Sequence, residues 1–235
     1  MKSLFFLVIV TLFTTSDQLF PSIIDQKHPF ERFISLGNCC VTRRQINYHL
    51  SSRFNADQHS FGGGHIFDWM FMHDYSKLTD AIQNNLDDVF IKENMNGCYN
   101  VKYNMGWIHL FEDSTTMDQV FPLKKQKMDY LAQKFRELAL YRTLYIIAFP
   151  HHYDGCDGMN EPDKNTLKAL YRSIKNMRGN DNFVILYLPH RKKFESTKNI
   201  IVYEMPSVGR VDGGDTHKWD KILSKFPFKY PAVMH

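Results

Sequence analysis

Apolar positions fall into a clear rhythm in the C-terminal half of the chain. Met128, Leu131, Phe135 and Leu138 recur at helical spacing and predict an amphipathic helix over 124–140. The run Leu144 to Phe149 is apolar throughout and closed by Pro150, so it reads as a buried strand. A second helix is expected from Pro162, which follows Asn160, through Leu167, Leu170, Tyr171 and Ile174 to a stop at Gly179. Phe183 to Leu188, ended by Pro189, and Ile200 to Tyr203 predict two further strands, and Trp219, Ile222, Leu223 and Phe226 a last helix. This alternation predicts an α/β fold: three layers, a mainly parallel sheet with helices on both faces, Rossmann-like. Ligands of such sheets gather at the carboxyl ends of the strands, where this sequence supplies His151, His152, Asp154, Asp157, His190, Arg191, Asp212 and Asp215.

The N-terminal half is less regular. Residues 17–31 read as an extended lead-in. Phe33 to Leu36 is a short strand-like run, Gly37 permits a tight turn, and Asn38 suits a helix N-cap. A helix over Val41–Leu50 is expected, although only Ile46 and Leu50 form a good apolar pair. Ser51–Gly64 is polar and ends in glycines, which predicts an irregular loop. Asp68 then stands inside the apolar run His65–Met72, where a carboxylate is costly unless paired. It is expected either to cap a helix starting near Trp69 or to orient a functional group. Ser76 is expected to cap a helix carrying Leu78, Ile82, Leu86 and Val89, while 92–118 reads as aromatic loop. Within that loop His109 alternates with apolar neighbours as the second face of a strand does.

Composition narrows the class. With 43% hydrophobic and 23% charged residues the chain is globular, and a net charge of +4 with scattered Lys and Arg does not favour nucleic acid as partner. Residues 1–16 have the form of a secretory signal peptide: basic Lys2, apolar Leu4–Phe13, then Thr14, Thr15 and Ser16. Cleavage near Ser16 leaves 17–235 as a single domain without repeat or linker, secreted or in the ER or Golgi lumen, and with no later run that spans a membrane. An uncleaved anchor is the competing expectation. Cys39, Cys40, Cys98 and Cys156 then face an oxidising compartment, where two disulfides, or a Cys98–Cys156 bridge alone, are the alternatives.

Candidate chemistry concentrates at the first turn of the first helix. Unpaired N–H groups and the helix dipole favour a thiolate there, and Arg43 and Arg44 add positive charge one turn on. Burial as a packing pair is the plain alternative. A cysteine nucleophile needs a base and an orienting group. His109 is the best-placed base in the sequence, with Asp68 or Asp113 as orienter. The donors His151, His152, Asp154, Cys156 and Asp157 lack the spacing of a metal site. No Walker loop, Gly-x-Gly-x-x-Gly or Gly-x-Ser-x-Gly is present, so no cofactor is expected.

Three stretches resemble a known family. Ser35-Leu36-Gly37-Asn38-Cys39-Cys40, Ile66-Phe67-Asp68-Trp69 and Gly106-Trp107-Ile108-His109 are similar to the Ser-Leu-Gly-x-x-Cys, Pro-Phe-Asp-Trp and His signposts of an uncharacterised group of papain-like cysteine peptidases. Ile66 replaces the family's Pro, and the helix–strand alternation of the C-terminal half suits a Rossmann-like three-layer sheet rather than a true papain fold. The resemblance implies a secreted or luminal cysteine hydrolase acting on a peptide or other acyl substrate, with Cys40 as nucleophile, His109 as base and Asp68 as orienter. The residues themselves also support two other readings. One is a luminal glycosyltransferase-like enzyme whose Gly37–Arg44 turn binds an anion, and the other a binding domain without catalysis.

Overall fold

The computed structural model describes residues 28–37, 39–55, 64–68, 70–107, 117–149, 160–190, 194–205 and 216–229, with backbone alone at 39–40 and 117–120. Four strands form a parallel sheet: β1 (Arg32–Ser35), β6 (Thr143–Ala148), β7 (Phe183–Leu188) and β8 (Ile200–Val202), in that spatial order. The order advances in one direction, so these four strands contain no reversal of the kind that opens a crevice in doubly wound sheets. Short strands β2 (Met70–Met72), β3 (Met95–Asn96), β4 (Tyr99–Asn100) and β5 (Met105–Trp107) form a separate antiparallel sheet in the order β2-β5-β4-β3. Helices α1 (Cys39–Phe54), α2 (Tyr75–Gln83), α3 (Met117–Glu137), α4 (Lys164–Arg178) and α5 (Thr216–Leu223) complete the α/β fold.

The parallel strands look uniformly apolar because alternate side chains enter two different clusters. Tyr145, Ile147, Ile185 and Tyr187 join residues of α2, α3 and α4. Leu144, Ile146, Ala148, Leu186 and Leu188 join residues of α1 and α5. Deleting a large side chain such as Tyr187 or Trp219 from either cluster would remove about 3–5 kcal/mol of packing.

Several boundaries differ from the sequence reading, each for a local reason. Asp74, not Ser76, caps α2: its carboxylate accepts the Ser76 N–H at 2.8 Å. Asp163 likewise caps α4 by accepting from Thr166 N–H at 2.7 Å, and Gly179 ends that helix at φ +68° as expected. α3 starts earlier than 124 and carries Pro122 inside it. The stretch expected as loop over 92–118 contributes β3, β4 and β5, strands too short to show a period.

Candidate active site

The site grows from the carboxyl end of β1. Leu36 N–H extends the ladder to Ile146 O at 2.9 Å, and Tyr75 Oη donates to Leu36 O at 3.3 Å. Gly37 then turns the chain at φ +89°, a conformation that L side chains rarely adopt. A Cβ there would also meet Met70 Cε at 3.1 Å, a contact to which the flexible Met side chain can yield, so it is the positive φ that calls for glycine. α1 begins directly after, with Cys39 and Cys40 in its first turn. The expected cap, Asn38, lies outside the described residues.

The segment 64–68 is linked to α1 through Asp68. Asp68 Oδ2 accepts the His65 N–H at 2.7 Å, and Asp68 N–H reaches back to His65 O at 3.1 Å. The carboxylate thus closes its own turn, and the chain continues into β2, not into the helix that the capping expectation placed near Trp69. Oδ2 also faces Arg43 Nε at 3.4 Å, an ion pair whose side chains are 0% and 6% exposed. Arg43 lies one turn after Cys40, so the pair joins Asp68 to the start of α1. Two further bonds fix the segment: Trp107 Nε1 donates to Ile66 O at 3.0 Å, and Lys134 Nζ to Gly64 O at 3.3 Å.

Burial dominates the electrostatics. It pushes Asp68 up to about 6, against the pull of Arg43 and the His65 N–H. Burial also drives His65 down to about 2, aided by the charges of Lys134 and Arg43. His65 therefore stays neutral at physiological pH and is too weak a base to activate a thiol. Asp68 Oδ1 and His65 Nδ1 are buried with no hydrogen bond among the described residues. A buried carboxylate oxygen with an open lone pair is an acceptor for one more N–H donor.

The structure ties Asp68 to Arg43, one turn after Cys40 and expected from the sequence to add positive charge there, while His65 joins them without having been assigned a role from the sequence. His109 and Asp113 lie outside the described residues, as do His151, His152, Asp154, Cys156, Asp157, Arg191, Asp212 and Asp215. The described part of β5 ends at Trp107, two residues before His109, and Trp107 pairs with Met70, two residues after Asp68. At the end of β7, His190 N–H donates to Glu161 Oε1 at 3.1 Å. Cys98 is a half-buried free thiol, and Cys156, its expected partner, lies outside the described residues. Among the described residues no group of three or more His, Cys, Asp or Glu is placed to hold a metal ion, and no helix is long and apolar enough to cross a membrane. No protein-family model, curated protein or solved structure matches the chain.

Proposed function

We propose that the chain is a secreted or luminal cysteine hydrolase of the papain-like cysteine peptidase group that its motifs resemble. One observation supports this above the others: the first turn of α1, which carries Cys40, is tied through Arg43 to a buried Asp68 with an open acceptor oxygen. In this reading His109 takes the proton of Cys40, and the thiolate sulfur attacks the acyl carbon of a peptide or related substrate. His109 returns the proton to the leaving group, and water then hydrolyses the thioester with His109 as base. Asp68 Oδ1 accepts the other imidazole N–H and holds the ring. Residues 1–16 act as the signal peptide and 17–235 as the domain. The two apolar clusters on alternate strand residues support three layers with helices on both faces.

The test is labelling of the unreduced, mature protein by iodoacetamide and an epoxide probe, alongside hydrolysis of a fluorogenic peptide library. Cys40→Ala is expected to abolish hydrolysis and labelling by the epoxide probe, with any iodoacetamide label left on the free thiol of Cys98, and His109→Ala to slow hydrolysis and epoxide labelling by about 100-fold or more. Unchanged hydrolysis in Cys40→Ala overturns the reading.

A second reading has one observation of its own. The glycine turn at the carboxyl end of a parallel strand leads straight into a helix N-terminus, a geometry that also suits a phosphate group, as a luminal glycosyltransferase-like enzyme requires. Saturable binding of a nucleotide sugar that survives Cys40→Ala would replace the first reading with this one.

A further inference from the structure

A second polar site lies between α1 and α5, about nine residues along α1 from Cys40, or roughly 13 Å at the helical rise. There the two helices leave a groove of about 560 Å³, inside the range of about 300–1,000 Å³ that small-molecule sites occupy. Gln45, Tyr48, His49 and Ser52 line it from α1, at a spacing that puts them on one helix face. Thr216, His217 and Asp220 line it from α5. Every lining side chain has a hydrogen-bonding group, and no Lys or Arg is among them.

His49 is the fixed point of the groove. Its Nδ1–H donates to Asp220 Oδ1 at 2.7 Å, and its ring lies parallel to Phe33 with centroids 6.3 Å apart. A carboxylate only accepts, so the proton sits on Nδ1 and Nε2 keeps its lone pair. Burial holds the imidazole below its ordinary value despite Asp220, which favours this neutral form. Nε2 is buried and has no hydrogen bond among the described residues. Tyr48, by contrast, is 44% exposed and offers an aromatic face at the lip of the groove.

We propose that this groove binds a neutral saccharide, with a ligand hydroxyl donating to His49 Nε2 and a sugar face against Tyr48. The chemistry selects the class. An anion finds no cationic side chain in the lining, and the single carboxylate is already engaged by His49. A polyol with donors, acceptors and one apolar face matches an amide, two hydroxyls, an imidazole acceptor and an aromatic ring.

The full mature chain is tested on a printed array of neutral, sialylated and sulfated glycans, followed by calorimetry with the retained neutral glycan. Tyr48→Ala and His49→Phe are each expected to weaken binding by about tenfold or more, while Cys40→Ala binds as wild type does. Retention of no neutral glycan, retention of charged glycans alone, or equal binding by Tyr48→Ala and wild type overturns the proposal. Tyr48→Ala changes an exposed residue and decides the matter if His49→Phe fails to fold. Because Cys40 plays no part in the groove, loss of hydrolase activity leaves this result unaffected.

Discussion

Two His–Asp neighbours in this protein use the same residue types to opposite effect. In the 64–68 turn both residues are buried, but the carboxylate bonds the backbone of His65 and the guanidinium of Arg43, not the imidazole ring. Between α1 and α5 the imidazole of His49 is buried and its carboxylate partner, Asp220, has a side chain 51% exposed. In the first case desolvation falls on both groups, lifting Asp68 to about 6 and driving His65 down to about 2. In the second it falls on the base and lowers His49. The contrast shows that which partner is buried, more than the pairing itself, decides which group carries the cost.

The largest effect is expected where both charges are enclosed. Arg43→Met removes the cation facing Asp68 and leaves a buried carboxylate without its ion pair. A loss of about 3 kcal/mol or more is expected at pH 7, read from urea denaturation. The loss should shrink at pH 5, where Asp68 takes up a proton and the missing cation matters less. A loss below about 1 kcal/mol at pH 7 would mean that Arg43 does not hold the acid, and the link from Asp68 to the first turn of α1 would fail with it.

The same contrast explains which parts of the fold are legible in the sequence. The strands stand out at 144–148 and 183–188 because alternate side chains all enter apolar clusters, leaving no polar position to interrupt the run. Gly37 and Gly179 are readable because the backbone there needs a positive φ. α1 is barely readable as an amphipathic helix, since Thr42, Arg43, Gln45 and His49 on it are all buried. A helix that buries polar side chains erases the periodicity by which helices are recognised. Asp68 can be singled out from the cost of its apolar surroundings, yet its partner Arg43 cannot, because a pairing between distant segments leaves no local pattern. The groove residues of α5 are hidden for the same reason.

Titration gives a sharper test of the enclosed acid. Asp68 has its pKa raised from 3.8 to about 6, so its contribution to stability is fully present below 3.8 and is lost as pH rises through 6. His65 runs the other way: depressed from 6.5 to about 2, it contributes fully above 6.5 and loses this as pH falls. The two slopes oppose each other between about pH 4 and 6, which hides both in the wild-type curve. Asp68→Asn removes one and leaves the other. Between pH 4 and 7 the wild type should therefore lose about 2 kcal/mol relative to Asp68→Asn, measured by urea melts at both pH values. Parallel stability profiles for the two proteins would show that Asp68 titrates normally and that its burial is not felt.

The smallest effect is expected at the half-exposed pair. Asp220→Ala removes the acceptor of His49 Nδ1–H, but solvent entering the groove can take its place, so a loss of only about 1 kcal/mol is expected. The imidazole should also become harder to protonate, because the hydrogen bond and the negative charge of Asp220 are what oppose its burial. NMR titration of the His49 ring would read this as a midpoint below that of the wild type, together with a weaker preference for the Nδ1–H tautomer. A loss as large as that of Arg43→Met would mean that water does not reach the vacated position. The two His–Asp neighbours would then differ in connectivity alone, and exposure of the carboxylate would cease to explain why one is costly and the other is not.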